Sequence, residues 1–540
     1  MPGSASDLTL EEQIGQLLMV GFPGTTPTPQ LIKLIQRYHV GNIILFSRNV
    51  QSARQLHELT ARLQELALEG GQRQPLLIAL DQENGMVQRL GEDATIFPGN
   101  MALGAVGSEQ CAYEVALAAG QELRALGVNL NLAPVVDVNN NPANPVIGVR
   151  SFGEDPQQVA RLACAQMRGY QDAGVATCLK HFPGHGDTAT DSHLAMPTVP
   201  YEMERLERIE LVPFKSGIAA GTDCVMSAHI YFSALMGTTH LPATLSPAVI
   251  RRLLREQLGF QGVILTDCLE MNAVSETVGV GRGAVLAKQA GNDLILISHR
   301  YDRQLAGIEA LKAAVQAGEI APAAIQEAVG RVLALKQRLR EREQWQSTTP
   351  TLADVGSADH RRLSDQIYAR STTLVRNEQN LLPLRLEPDQ RLLLVYTHRD
   401  AWTQVEDKGY PEAFLVESLR LRHAHTDVIV LSEKITPADY ERLYSAAREA
   451  AAILMVTVNA LHDPQQVQVM QEFIKLGRPL IGLAPYSPYD LLAFPELATY
   501  LVTYEYTHPA IAAAVRVLFG EIPPQGKLPV SLPGLYPLRS

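Results

Sequence analysis

Residues able to do chemistry concentrate between Cys178 and Pro200, in CLKHFPGHGDTATDSHLAMPTVP. His181, His185, Asp187, Asp191 and His193 crowd a stretch rich in Gly, Pro and Thr, directly after the apolar run Val175 to Leu179. That run reads as a buried strand, so the polar cluster begins where the strand ends and a loop opens, the place where enzymes carry catalytic groups. Three His and two Asp at short spacing offer nitrogen and oxygen ligands to a metal ion. The chain has no H-E-x-x-H, however, and its five Cys are scattered, so no metal is expected. The second reading is acid/base chemistry, in which Asp191 holds the imidazole of His193 in one tautomer while His193 moves a proton. The third is a polar loop whose side chains satisfy backbone donors.

The run KHFPGHGDTATDSH resembles the signature of the β-N-acetylglucosaminidases of glycoside hydrolase family 3. The resemblance implies that Lys180 and His181 bind substrate hydroxyls, that His193 is proton donor and acceptor, and that Asp191 orients it.

These groups need a scaffold, and the first 340 or so residues supply an alternation of short apolar runs with longer amphipathic ones. Strands are expected at Leu17 to Phe22, Asn42 to Phe46, Leu76 to Asp81, Asn129 to Val136, Val175 to His181, Asp223 to His229, Val263 to Asp267 and Asp293 to Ser298. Helical patterns lie between them, among them Gln51 to Leu68, Glu109 to Leu126 and Gln157 to Ala173. Eight strands with crossovers predict an N-terminal (β/α)8, TIM-like barrel, whose active site lies at the C-terminal ends of the strands. Asp81 ends the third strand, either capping a helix or accepting hydrogen bonds from sugar hydroxyls. Asp267 ends the seventh directly after apolar residues, where an unpaired carboxylate is costly unless it caps a helix or faces a site. By the resemblance Asp267 is the nucleophile, and Asp81, Arg89 and Arg150 contact substrate. The chain carries Asn84, Gly85 and Met86 where the family usually has two glycines and an Arg.

A helix from about Pro322 to Arg342 is followed by QSTTPTLADVGSADH, polar and rich in turn residues, which reads as a linker over 346–360. The expected division is therefore a catalytic domain over 1–345 and an αβα sandwich over 361–540. Five strands near Leu392, Val428, Ile453, Leu480 and Thr499 predict an open, mostly parallel sheet covered on both faces. RSTTLVRNEQNLLPLR and FGEIPPQGKLPVSLPGLYP resemble the two ends of the family's second domain.

With 540 residues and 46% hydrophobic content, the chain is long enough for two or more globular domains. A formal net charge of −11 argues against nucleic acid as a partner. Five cysteines, all in the first half and without paired spacing, point to reduced thiols. MPGSASDLTLEEQIGQ lacks the basic start and apolar core of a signal peptide, and no apolar run reaches membrane-spanning length, so a cytoplasmic protein without a membrane partner is expected.

What these readings imply together is a retaining exo-β-N-acetylglucosaminidase acting on cell-wall (peptidoglycan-derived) saccharides or muropeptides, without cofactor. Asp267 attacks the anomeric carbon and His193 protonates the leaving oxygen. The alternatives are a family 3 β-glucosidase, a phosphorylase working through the same residues, a metallohydrolase, and a saccharide-binding protein without catalysis.

Overall fold

The computed structural model describes residues 5–190, 196–237, 240–345, 349–398, 410–431 and 435–538. Eight short strands form the N-terminal barrel: β1 (Leu18–Val20), β2 (Asn42–Ile44), β3 (Leu77–Leu80), β4 (Leu130–Asn131), β5 (Ala176–Phe182), β6 (Cys224–Ser227), β7 (Val263–Thr266) and β8 (Ile295–Ile297). Every neighbouring pair is parallel, β8 pairs with β1, and the ring closes between β7 and β8 through the single bridge Leu265–Leu294. All eight strands are buried throughout, because the barrel interior covers one face and the helices the other. That is why they read as continuous apolar runs rather than alternating ones.

The strands are shorter than the apolar runs that announced them. The fourth was expected over Asn129 to Val136 but stops at Asn131, close before Pro134, which has no N–H to give to a ladder. Beyond it the chain makes the isolated bridge Val135–Lys180. The helices lie where expected, with Ala53–Glu69, Glu109–Ala125 and Pro156–Asp172 each starting behind a Ser or Asp that accepts a hydrogen bond from the first turn.

Helix Pro322–Trp345 adds Val332, Leu335 and Leu339 to the apolar cluster that fills the barrel. Its Lys336 is buried and donates to Gln16 Oε1 (2.7 Å) and to the Gly41 carbonyl (2.9 Å). Burial lowers the ammonium's pKa to about 7. The polar stretch read as a linker is tied to the barrel: the Gly356 N–H and His360 Nδ1 both meet Glu122 Oε1, at 3.1 and 2.9 Å.

The second sheet has six strands rather than the five expected: β9 (Thr373–Asn377), β10 (Leu392–Thr397), β11 (Thr426–Leu431), β12 (Ala452–Val456), β13 (Leu480–Ala484) and β14 (Thr499–Val502). Their order is β9-β14-β13-β12-β10-β11, parallel except for the antiparallel β9 at one edge. The strand missed by pattern is that edge, TLVRN, mostly half-buried and kinked between Leu374 and Arg376, so it shows neither an apolar run nor clean alternation.

The two domains meet over buried polar contacts. Glu505, just past β14, accepts hydrogen bonds from the Gly99 N–H (2.5 Å) and the Tyr368 hydroxyl (2.6 Å). It also lies where a side chain on Gly85 would point, and Gly85 has a left-handed φ of +61°, so close backbone approach and conformation both call for glycine there. The Tyr506 N–H meets Met86 Sδ at 3.2 Å. Met86, which stands where the family usually has Arg, belongs to the core of the second domain. Among the described residues no helix is long and apolar enough to cross a membrane.

Candidate active site

A cavity of about 430 Å³ opens at the C-terminal ends of the barrel strands. Asp81, Arg89, Arg150, Lys180, His181 and Asp267, six of the eight residues singled out from sequence, all line it. Asp191 and His193 lie outside the described residues. The convergence follows from the fold, since each of these residues sits on a strand end or on the loop after one, and a closed barrel brings those ends into one ring.

Strand β5 carries Lys180 and His181 side by side. Lys180 Nζ lies 2.6 Å from both Asp81 Oδ1 and Glu83 Oε1. Glu83 is in turn held by Arg150 in a two-pronged pair, Nε to Oε2 at 2.8 Å and Nη2 to Oε1 at 2.7 Å. The remaining Arg150 nitrogen, Nη1, donates to the Val146 carbonyl at 3.0 Å. Burial disfavours the charged forms of Glu83, Arg150 and Lys180, but the opposite charges around them outweigh it. Arg150 and Lys180 hold the Glu83 carboxyl well below the usual range, and Asp81 with Glu83 raise the Lys180 ammonium. The result is a chain in which each cation meets a carboxylate.

His181 is fixed by a carboxylate that sequence reading did not single out. Asp137 Oδ2 accepts from His181 Nδ1 at 2.8 Å, while Oδ1 accepts the backbone N–H groups of His181 (3.2 Å) and His185 (2.7 Å). Asp137 thereby fixes the orientation of the His181 ring. His185 stands edge-on to His181 with centroids 5.8 Å apart, and burial followed by the charge of His181 lowers its pKa to about 4. It is therefore a neutral group.

Across the ring, Asp267 follows β7 and its Oδ1 accepts the Cys268 N–H at 2.7 Å. His229, to which sequence gave no role, steadies this turn. Its Nε2–H donates to the Cys268 carbonyl at 2.9 Å, with Nδ1 2.8 Å from Thr244 Oγ1. Cys268, Glu270 and His299 bring possible metal ligands within 4.8 Å of one another beside the cavity. The Glu270 carboxylate already accepts the N–H groups of His299 (2.5 Å) and Arg300 (3.1 Å), at the start of helix Tyr301–Gln316. That accounts for its position without an ion.

A ring of acids, bases and forked cations around one cavity suits hydroxyl recognition and acid/base-assisted attack at carbon. The N-terminal domain of glycosyl hydrolase family 3 matches residues 9–335. The chain belongs to glycoside hydrolase family 3. It is 32% identical to beta-hexosaminidase A of Pseudoalteromonas piscicida, with 97% of each chain covered. Among solved structures, a family 3 beta-N-acetylglucosaminidase from Paenibacillus sp. str. FPU-7 superimposes with a TM-score of 0.90 at 43% identity, covering 97% of this chain and 99% of that one. A fungal multi-domain family 3 beta-N-acetylglucosaminidase gives a TM-score of 0.91 at 44% identity over 98% of this chain, which spans 61% of that protein. This family 3 chain is a glycoside hydrolase.

Glu83 and Asp137 are what residue-by-residue reading of this family 3 chain missed. Asp137 carried a usable signal, since it follows the apolar run of APVV just as Asp267 follows VILT. Glu83 carried none, because only the fold shows that it faces two cations. Glu83→Gln leaves Arg150 and Lys180 buried with one carboxylate fewer, and we expect a loss of about 3–5 kcal/mol in stability. Thermal melts should show it plainly. Glu65→Gln, which breaks only the solvent-exposed pair with Arg62, should leave the melting temperature unchanged.

Proposed function

We propose that the chain is a retaining exo-β-N-acetylglucosaminidase that removes terminal N-acetylglucosamine from peptidoglycan-derived saccharides. The observation that carries this reading is the convergence of Asp81, Arg89, Arg150, Lys180, His181 and Asp267 on one cavity. Its volume, near the lower end of the roughly 300–1,000 Å³ of small-molecule sites, suits one terminal sugar ring rather than a long chain. The names of the Pseudoalteromonas and Paenibacillus relatives, a beta-hexosaminidase and a beta-N-acetylglucosaminidase, support the choice of sugar.

In this mechanism Asp267 attacks the anomeric carbon and a covalent glycosyl-enzyme forms while His193, oriented by Asp191, protonates the departing oxygen. His193 then takes a proton from water, which attacks the same carbon and releases the sugar with its configuration retained. Asp81, Lys180, Arg150 and His181 hold the ring hydroxyls and Arg89 assists from the following loop. The Asp81–Lys180 contact is already made in the free enzyme, at 2.6 Å, so little reorganisation is needed when sugar arrives.

The test compares nitrophenyl N-acetylglucosaminide with nitrophenyl glucoside, and follows the first-formed anomer by NMR. We expect at least about a tenfold preference for the N-acetyl sugar and initial release of the β anomer. Equal or greater activity on the glucoside, or an α product, overturns the reading. Muropeptides should lose one N-acetylglucosamine by mass. A second reading is phosphorolysis, favoured by an imidazole in place of the usual acid/base carboxylate, because a neutral group repels phosphate less. Sugar 1-phosphate accumulating when phosphate is added would select it.

A further inference from the structure

Next to Asp267 stands a set of side chains to which the proposed sugar chemistry gives no part. Cys268 and Glu270 lie on the loop after β7 and His299 on the loop after β8, two strands that the bridge Leu265–Leu294 makes neighbours in the ring. The two loops are also tied directly. The Leu269 N–H donates to the Leu296 carbonyl at 3.0 Å, and the Glu270 carboxylate accepts the N–H groups of His299 and Arg300. The thiol sulfur, a carboxylate oxygen and an imidazole nitrogen are thereby held within 4.8 Å of one another.

Glu270 Oε2 lies 4.0 Å from Cys268 Sγ, whereas Arg303 Nη1 lies 3.9 Å from the other oxygen, Oε1. Ligands of one tetrahedral zinc ion are roughly 3.4–3.6 Å apart at ordinary bond lengths, so small side-chain rotations close the set. Each backbone bond to Glu270 occupies one lone pair of an oxygen that has two, so these bonds shape the cluster and leave it able to accept more. Phe46 packs against the His299 ring with centroids 5.1 Å apart and so restricts where it turns. Access comes from the catalytic side, because Cys268 and His299 both line the cavity and His299 is exposed. A thiolate, an imidazole and a carboxylate select a soft or borderline cation rather than magnesium or calcium.

We propose that Cys268, Glu270 and His299 bind a thiophilic divalent cation, zinc or cadmium, and that the bound ion shuts the catalytic cavity to sugar. On binding, the thiol releases its proton to solvent and a sulfur–metal bond forms, with no change of oxidation state. Three protein ligands leave a fourth position of the ion facing the cavity, where it holds water in space the sugar needs. The ion takes no part in the hydrolytic steps, which use Asp267 and His193. It is an inhibitor, and this half of the proposal rests on the functional reading above, whereas the binding half does not.

The experiment titrates the full chain with cadmium in metal-free buffer and follows the ultraviolet thiolate-to-cadmium charge-transfer band. In parallel, hydrolysis of nitrophenyl N-acetylglucosaminide is measured with and without zinc. The band should saturate at one equivalent, be absent from Cys268→Ser, and need at least about tenfold more cadmium in His299→Ala and Glu270→Gln. Zinc should raise KM and leave kcat in place, a chelator should restore the original KM, and magnesium should do nothing. A band that persists in Cys268→Ser puts the ion on another thiol, such as the half-buried Cys164, and overturns the proposal. So does a band that His299→Ala and Glu270→Gln leave unchanged, since a lone thiol then does the binding. The exposed position of His299 makes its variant a test that does not depend on how Cys268→Ser folds. Zinc that binds without raising KM overturns the inhibitory half. Failure of the metal-free wild type on every N-acetylglucosaminide would instead overturn the functional reading, and the charge-transfer band would still decide whether the cluster binds metal.

Discussion

Asp267→Ala is expected to abolish turnover of aryl and natural N-acetylglucosaminides alike, by on the order of 10⁴-fold or more. In the proposed mechanism Asp267 is the nucleophile, and a nucleophile takes part whatever the leaving group. Asp267 lines the cavity, and its Oδ1 accepts the Cys268 N–H. The variant should therefore fold and melt close to wild type. An activated 5-fluoro N-acetylglucosaminide, which slows release of the covalent intermediate, should label the intact enzyme once. Peptide mapping should place the label between Val263 and Met271, and a label on any other segment refutes the assignment.

His193→Ala should separate substrates by their leaving groups. A departing nitrophenolate needs no proton, whereas a departing sugar hydroxyl does, so a general acid matters for the second and little for the first. The expected loss on saccharides is about 10²–10⁴-fold, the usual worth of such a group, with a far smaller loss on nitrophenyl substrates. Asp191→Ala should show the same pattern more weakly if it orients the imidazole. Equal slowing of both substrates would make His193 a binding or structural residue. The acid would then be sought among carboxylates of the second domain. Glu505 is not available for that work, because it is buried and its oxygens already serve the Gly99 N–H and the Tyr368 hydroxyl.

None of the second domain's residues lines the catalytic cavity among those described, yet Glu505 and Tyr506 pack on the loop that carries Asp81, Glu83 and Arg89. Separating the domains would leave Gly85 and Met86 without the surface they are shaped for.

Much of this protein was legible along the chain. Strands buried on both faces must be apolar for their whole length and helices must cover them, so alternation of short and long patterns was enough to announce the barrel. Acidic residues at the ends of apolar runs marked Asp81 and Asp267, because an ionisable group at that position needs a partner or a site. KHFPGHGDTATDSH marked Lys180 and His181 through resemblance. The edge strand Thr373–Asn377 escaped because half-buried edges carry little hydrophobic signal. What only the tertiary structure decided were pairings between residues far apart in sequence: Glu83 with Arg150 and Lys180, Asp137 with His181, and Glu505 with Gly99. Local patterns report burial and periodicity, which one segment sets alone. A charge pair or a shared cavity exists only once closure of the barrel and docking of the second domain bring distant segments within a few ångströms.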